Sequence, residues 1–295
     1  MKRHKIKLSF CVAYDWDYLQ YSLPLVYKEA DEICLAIDKD RISWAGNKFQ
    51  FDEQGFQLLI EKIDLDKKIK LYEDDFHIPN LSPMENEIRQ RSLMAKFLGS
   101  DDGWHLQLDS DEYFINFKGF VHYLHGLNPN RPINVCCPWI TLYKRIDEGF
   151  LMVNPRSFKQ IEFIPIATNL PQYEHGRRNG HFNHYTDFAI LHQSWARTAE
   201  EIRLKLDNWG HKTDFKVDEY FKTWDMPNAS NYKEVVNFHP FKPREWEALD
   251  FLKAISIDAL IQQYKEEDFF KITKLELVLK NSIWLSRFRK YLLSQ

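Results

Sequence analysis

Trp104-His105-Leu106-Gln107-Leu108-Asp109-Ser110-Asp111-Glu112-Tyr113-Phe114 is the stretch on which the reading of this chain turns. Its first residues alternate apolar and polar, the pattern of a strand with one face buried. Successive strand side chains point to opposite faces, which puts Trp104, Leu106 and Leu108 on one side. If the extended form persists, Asp109 and Asp111 lie in phase with His105 and Gln107 on the other. Two carboxylates at a strand end make a hard oxygen site suited to Mg²⁺ or Mn²⁺, which leave positions for water or substrate phosphate. Strand ends are also where open α/β sheets place their ligands. A solvated polar turn after a strand has the same residue types, and only the flanks separate the two.

Those flanks, an aromatic at each end of an alternating run that closes in Leu-Asp-x-Asp-Glu, resemble the metal-binding strand end of GT-A glycosyltransferases. More narrowly, the string is similar to the family 2-like and family 92-like members. The resemblance runs in order over residues 5–215. It implies an α/β fold of the nucleotide-diphospho-sugar transferase, Rossmann-like kind: a mixed central sheet flanked by helices over residues 1–215. A C-terminal helical extension, 216–295, would pack on that domain. It further implies a divalent cation (Mn or Mg), a nucleotide-diphosphate sugar as donor, and a glycan or lipid-linked acceptor.

Composition sets outer bounds. The 295 residues are 44% hydrophobic and 15% aromatic, ample for a buried core and unlike a disordered chain. A formal net charge of −3 argues against a general nucleic-acid-binding protein. Cys11, Cys34, Cys136 and Cys137 sit in apolar, strand-like runs without zinc spacing, as buried reduced thiols of a cytoplasmic protein would. The apolar run after the basic N-terminus is broken by Asp15 and Asp17, so it does not read as a secretory signal, and no run reaches transmembrane length.

Along the chain, residues 6–14 read as a buried strand, 18–30 as a helix and 32–38 as a second strand, a βαβ unit that implies a parallel pair. No Gly-x-Gly-x-x-Gly occurs, which leaves a dinucleotide-binding domain without support. By position, the resemblance carries nucleotide contacts onto Ala13, Asp15 and Asp38; loop acids in solvent are the alternative. A helix over 53–63 and a strand over 69–72 follow. The next helix is sharply punctuated: Ser82 at the N-cap, Pro83 at the first position and Glu85 three residues on form a capping box. Its apolar stripe would be Met84, Ile88, Met94, Phe97 and Leu98. The resemblance assigns a nucleotide or diphosphate contact to Arg89 on this helix, with Arg91 as second choice.

After the metal strand, residues 115–128 read as a short helix ending at Gly126, and 132–143 as a strand bent near Pro138. Residues 144–183 show little periodicity, and in a transferase this stretch would line the acceptor side. The second informative segment is Phe188-Ala-Ile-Leu-His192-Gln-Ser-Trp-Ala-Arg197-Thr198-Ala-Glu-Glu201, continuing through Lys205 to Gly210 and His211. It reads as a strand ending in His, then a helix with Thr198 and Glu201 in a second capping box. It is similar to the strand-His segment that follows the acceptor region in these transferases. That similarity makes His192 a third metal ligand beside Asp109 and Asp111, and Arg197 and Lys205 phosphate contacts. Catalysis would rest on Asp111 and on a carboxylate base, for which Glu174 is chosen over Glu148 and Asp147.

Other readings stay open. His181 and His184 would share a face if helical, a pairing that suits zinc, but no third ligand sits at a fixed offset. Residues 271–295 carry six basic side chains and one acid with apolar residues at helical spacing. Such a helix packs on the domain or lies on an anionic membrane. At the level of function, a metal-dependent nucleotidyltransferase or phosphohydrolase shares the paired carboxylates. A non-catalytic carbohydrate-binding protein of the same fold is the rival from another class.

Overall fold

The computed structural model describes residues 4–100, 103–208, 215–266 and 272–282. The first half alternates strand and helix: β1 (Ile6–Val12), α1 (Leu19–Val26), β2 (Glu32–Asp38), α2 (Glu53–Ile63), β3 (Ile69–Asp74), α3 (Pro83–Phe97) and β4 (Trp104–Asp109). Next come β5 (Glu112–Phe114), α4 (Phe117–Gly126), β6 (Ile133–Ile146), β7 (Gly149–Val153), β8 (Phe163–Thr168), β9 (Phe182–Tyr185), β10 (Ile190–His192) and α5 (Ala199–Asn208). The described chain ends with α6 (Val217–Asp225), β11 (Leu249–Lys253), α7 (Ile257–Glu266) and α8 (Lys274–Asn281).

One mixed sheet runs β11-β7-β6-β8-β4-β1-β2-β3, with β9 and β10 also on β6, and β5 on β10. β1 is parallel to β2 and β4, and β2 to β3, as α1, α2 and α3 require of their crossovers. Along that order the pairing turns antiparallel from β8 to β11, while β9 and β10 lie parallel to β6. All seven residues of β1 are buried because helices cover both faces. Leu8, Phe10, Leu106 and Leu108 pack with α1, α2 and α4, while Cys11, Cys34 and Ala36 meet Met94 and Leu98 of α3 on the other face. The four cysteines are free and buried, as their apolar settings imply.

The capping box at Ser82 and Glu85 forms as read, but of the expected inner stripe of α3 only Met94 and Leu98 are buried. Its buried side chains are Asn86, Gln90, Arg91, Met94 and Ala95, whereas Phe97 lies outside and stacks on Tyr72 at 4.4 Å. The helix crosses a polar sheet edge at its first turns and an apolar one only at its end, and its buried face changes chemistry along its length. Residues 144–183 hold β7, β8 and the start of β9. β7, Gly-Phe-Leu-Met-Val, is buried at every residue and so lacks an alternating signal. The stretch 216–295, expected as a helical extension, is helical in α6, α7 and α8 and also supplies β11, which extends the sheet along β7. Gly210, His211, Lys271 and the residues after Ser282 lie outside the described part.

Candidate functional site

β1 and β4 run side by side with Cys11 paired to Asp109, and both chains leave the sheet at the same edge. Ala13 and Asp15 therefore face Ser110 and Asp111 across that edge, where the Ser110 hydroxyl donates to Asp15 Oδ1 at 3.2 Å. The chain then reverses into β5, which pairs with β10 so that Glu112 stands opposite His192. The backbone N–H of Gln193 donates to the Asp111 carbonyl at 3.0 Å and locks the reversal to β10. Arg197 follows β10 directly, and the Thr198–Glu201 capping box starts α5 behind it. Glu201 also accepts from the Tyr18 hydroxyl at 2.8 Å, which ties α5 to the loop after β1.

The acids of this edge meet cations. Arg197 donates to Asp15 at 2.9 Å and to Asp111 at 2.5 Å. Lys205 stands 3.7 Å from Asp111 and donates to Ser194 Oγ at 2.8 Å. Arg91, buried on α3, donates to Asp109 at 2.9 Å, to Gln107 and to Glu87. Arg177 grips Glu112 with two nitrogens, at 2.8 and 2.6 Å. Burial works to raise the Asp111 carboxyl, yet Arg197, His192 and Lys205 outweigh it and hold it well below the usual carboxylate range. Burial likewise lowers the Lys205 ammonium to about 8 and the His192 imidazole to about 3, with Asp111 only partly opposing. His192 is therefore neutral near pH 7.

Asp15, Asp109, Asp111, His192, Arg197 and Lys205 line a cavity of about 600 Å³ that also takes in Ala13, Asp38, Trp44, Trp139 and Glu162. Glu162, just before β8, is one-third exposed to the cleft, and burial raises its carboxyl to about 7 despite Arg178 at 3.9 Å.

The pattern predicted from sequence is placed as follows. Ala13, Asp15, Asp38, Asp109, Asp111, His192, Arg197 and Lys205 all border the cavity. Arg89 does not: its guanidinium donates to the Asp75 carbonyl, and Arg91 is the arginine of α3 that reaches Asp109. Two residues of helix, about 200° of rotation, separate the two outcomes. Glu174 is not among the lining residues; it is exposed, with its backbone paired to Arg178, and Glu148 and Asp147 occupy the exposed β6–β7 turn. Asp38 lines the cavity, but both its oxygens are taken by backbone N–H groups of Asp40, Ile42, Phe76 and His77. It pins two loops and has little left to offer a base or ribose.

The expected three metal ligands reduce to a pair. Among the described residues no three His, Cys, Asp or Glu side chains gather as a metal-holding group, since Asp109 is turned to Arg91. Asp111 Oδ1 and His192 Nε2 do face each other at 3.6 Å, too long for a hydrogen bond and right for two ligands of one small cation. His192 Nδ1 is buried and has no hydrogen-bond partner among the described residues, so none of them is the acceptor that usually fixes a ligating imidazole. Trp139 holds the ring instead, stacked at 4.1 Å and 8°. The donor set fits a weakly held Mg²⁺ or Mn²⁺ whose remaining positions fall to water and substrate. The zinc alternative does not fit: His184 lies on strand β9, where residues three apart face opposite ways, and its ring bonds the Tyr123 hydroxyl.

Arg177, Glu162 and Trp139 carried no signal. The first lies in an aperiodic loop, and the others precede or occupy strands whose neighbours the sequence does not name.

Fold and cleft together define an α/β protein with a cavity lined by charged residues at the carboxyl ends of its parallel strands. No protein-family model and no curated protein matches the chain. Among solved structures it is similar to 4-diphosphocytidyl-2C-methyl-D-erythritol synthase from Anaerococcus prevotii DSM 20548, at 14% identity and a TM-score of 0.35 over 96% of each chain. A likeness of that degree assigns neither substrate nor reaction. No described helix is long and apolar enough to cross a membrane.

Proposed function

We propose that this protein is a glycosyltransferase that moves a sugar from a nucleotide-diphosphate sugar to a glycan or lipid-linked acceptor. One observation carries the reading. Arg197 joins Asp15 and Asp111, acids from two different strand ends, with His192 and Lys205 beside them at the rim of a cavity large enough for a nucleotide sugar. In that cleft Lys205 and Arg197 would take the diphosphate, while Arg178, half exposed at the cavity wall, stands beside Glu162. Arg91 and Arg177 hold Asp109 and Glu112, and so fix the strand reversal on which Asp111 sits.

Asp111 and His192 would hold Mn²⁺ or Mg²⁺. That ion, when bound, supplies countercharge to the departing nucleoside diphosphate. Glu162 is the base of this scheme for an inverting transfer. It takes the proton of the acceptor hydroxyl as that oxygen bonds the sugar's anomeric carbon and the bond to the diphosphate oxygen breaks. A carboxyl raised to about 7 is matched to that task near neutral pH.

Thermal-shift titration with nucleoside diphosphates and their sugars, with and without Mn²⁺, tests the donor site. Ligand that binds only the native state raises Tm by mass action. A Mn²⁺-dependent rise with one nucleotide, lost in Asp111→Asn, is the expected result. No rise with any nucleotide in the native protein would remove the donor-binding reading.

A further inference from the structure

The charge of this chain is sharply divided. Residues 271–295 carry Lys271, Lys274, Lys280, Arg287, Arg289 and Lys290 against Glu276 alone, a net +5 in a chain whose total is −3. Glu266, Glu267 and Asp268 lie just before this stretch, and the boundary falls within a few residues.

Within it, the contacts that hold α8 among the described residues come from one side. Thr273 and Glu276 close a capping box, so the one acid of the stretch is spent on its own helix N-terminus, at 2.8 Å from Thr273 N. The Asn281 amide accepts from Tyr185 N at 2.7 Å and donates to Tyr185 O at 2.8 Å, standing in for a strand along the free edge of β9. Lys280 lies over the rings of Phe158, Phe163 and Tyr185 at 4.9, 4.1 and 4.7 Å. These contacts leave the opposite face outward. There Leu275, Val278 and Leu279, spaced to share one side of a helix, are 67%, 65% and 46% exposed.

We infer that the outward face of α8 docks this protein on an anionic lipid bilayer. An exposed apolar stripe on a helix, within a stretch of net charge +5, is the composition that settles at an anionic bilayer interface. Each basic side chain adds attraction to anionic headgroups that falls off within a Debye length. The inference stands apart from the donor cleft and does not depend on the reaction proposed for it.

Co-sedimentation of the full chain with phosphatidylcholine vesicles, with and without phosphatidylglycerol, tests it. The protein should pellet with the anionic vesicles only and be released by high salt. Leu275→Glu with Val278→Glu should cut the bound fraction about tenfold or more at unchanged Tm; Leu275→Ser with Val278→Ser is the second pair should the first lower Tm. Failure of the native chain to pellet with anionic vesicles, or pelleting of both variant pairs equal to that of the native chain, overturns the inference. So does light scattering that finds a native dimer which these substitutions turn into monomer, because a second copy is then the occupant.

Discussion

Arg197 and Asp111 form an ion pair at 2.5 Å with both side chains almost wholly withdrawn from water, 2% and 4% exposed. Removing one partner strands the other charge in the interior, which costs about 3–5 kcal/mol where pairs of this kind have been broken. Arg197→Ala should therefore unfold at distinctly lower urea concentration than the native chain, and Arg197→Lys should recover part of the loss. Equal midpoints for Arg197→Ala and native protein would mean that water reaches Asp111 and that the pair is not a buried one.

Glu162 gives the cleft a pH signature. Its folded carboxyl is raised by burial from the ordinary 4.5 to about 7, so between these values the folded state binds more protons than the unfolded one. Stability contributed by this group consequently falls as pH rises from about 4.5 to 7. Transfer, which needs the ionised base, should rise over the upper part of that window. Glu162→Gln should be at least as stable as the native protein at pH 8 and lose most transfer activity, and its residual rate should lack the rise near 7. A native rate profile flat from pH 6 to 8, measured under first-order conditions in donor, would take Glu162 out of the base role.

Asp38 is expected to act through the loops it pins. Four backbone N–H groups converge on its two oxygens, and Asp38→Ala leaves them without their acceptor. A loss of about 2–4 kcal/mol follows if the freed groups are only partly rehydrated. Amide exchange at Ile42 and Phe76 should accelerate in that variant before exchange in β1 does. Nucleotide affinity should fall as well, because Ile42 and Trp44 border the cavity.

The paired ligands separate from Asp109 in a metal titration. Electron paramagnetic resonance of added Mn²⁺ should detect binding in the native protein with nucleoside diphosphate present. His192→Ala and Asp111→Asn should each weaken it by about tenfold or more, the usual scale for an altered metal site. Asp109→Asn, whose carboxylate is occupied by Arg91, should weaken it far less. A larger loss in Asp109→Asn than in His192→Ala would restore the three-ligand arrangement.

Local pattern alone determined much of this molecule. Alternation fixed Trp104–Asp109 as a strand and assigned its apolar residues to one face, and the Ser82 and Thr198 capping boxes marked where two helices begin. Each of these is a relation between residues a few positions apart, which a linear chain records. The family resemblance led to the expectation that Asp15, Asp111, His192, Arg197 and Lys205 would share a site, and all five border one cavity. Their partners were not legible. Whether Arg89 or Arg91 reaches Asp109 depends on the rotation of α3 against β4, and whether Asp38 is free depends on where four N–H groups from two loops come to rest. Glu162 entered the cleft only because β8 runs antiparallel to β4 and β6, a long-range pairing that leaves no periodic mark on residues 144–183. Contacts between distant segments are set by packing and by the summed cost of burying charge, and those are properties of the folded chain.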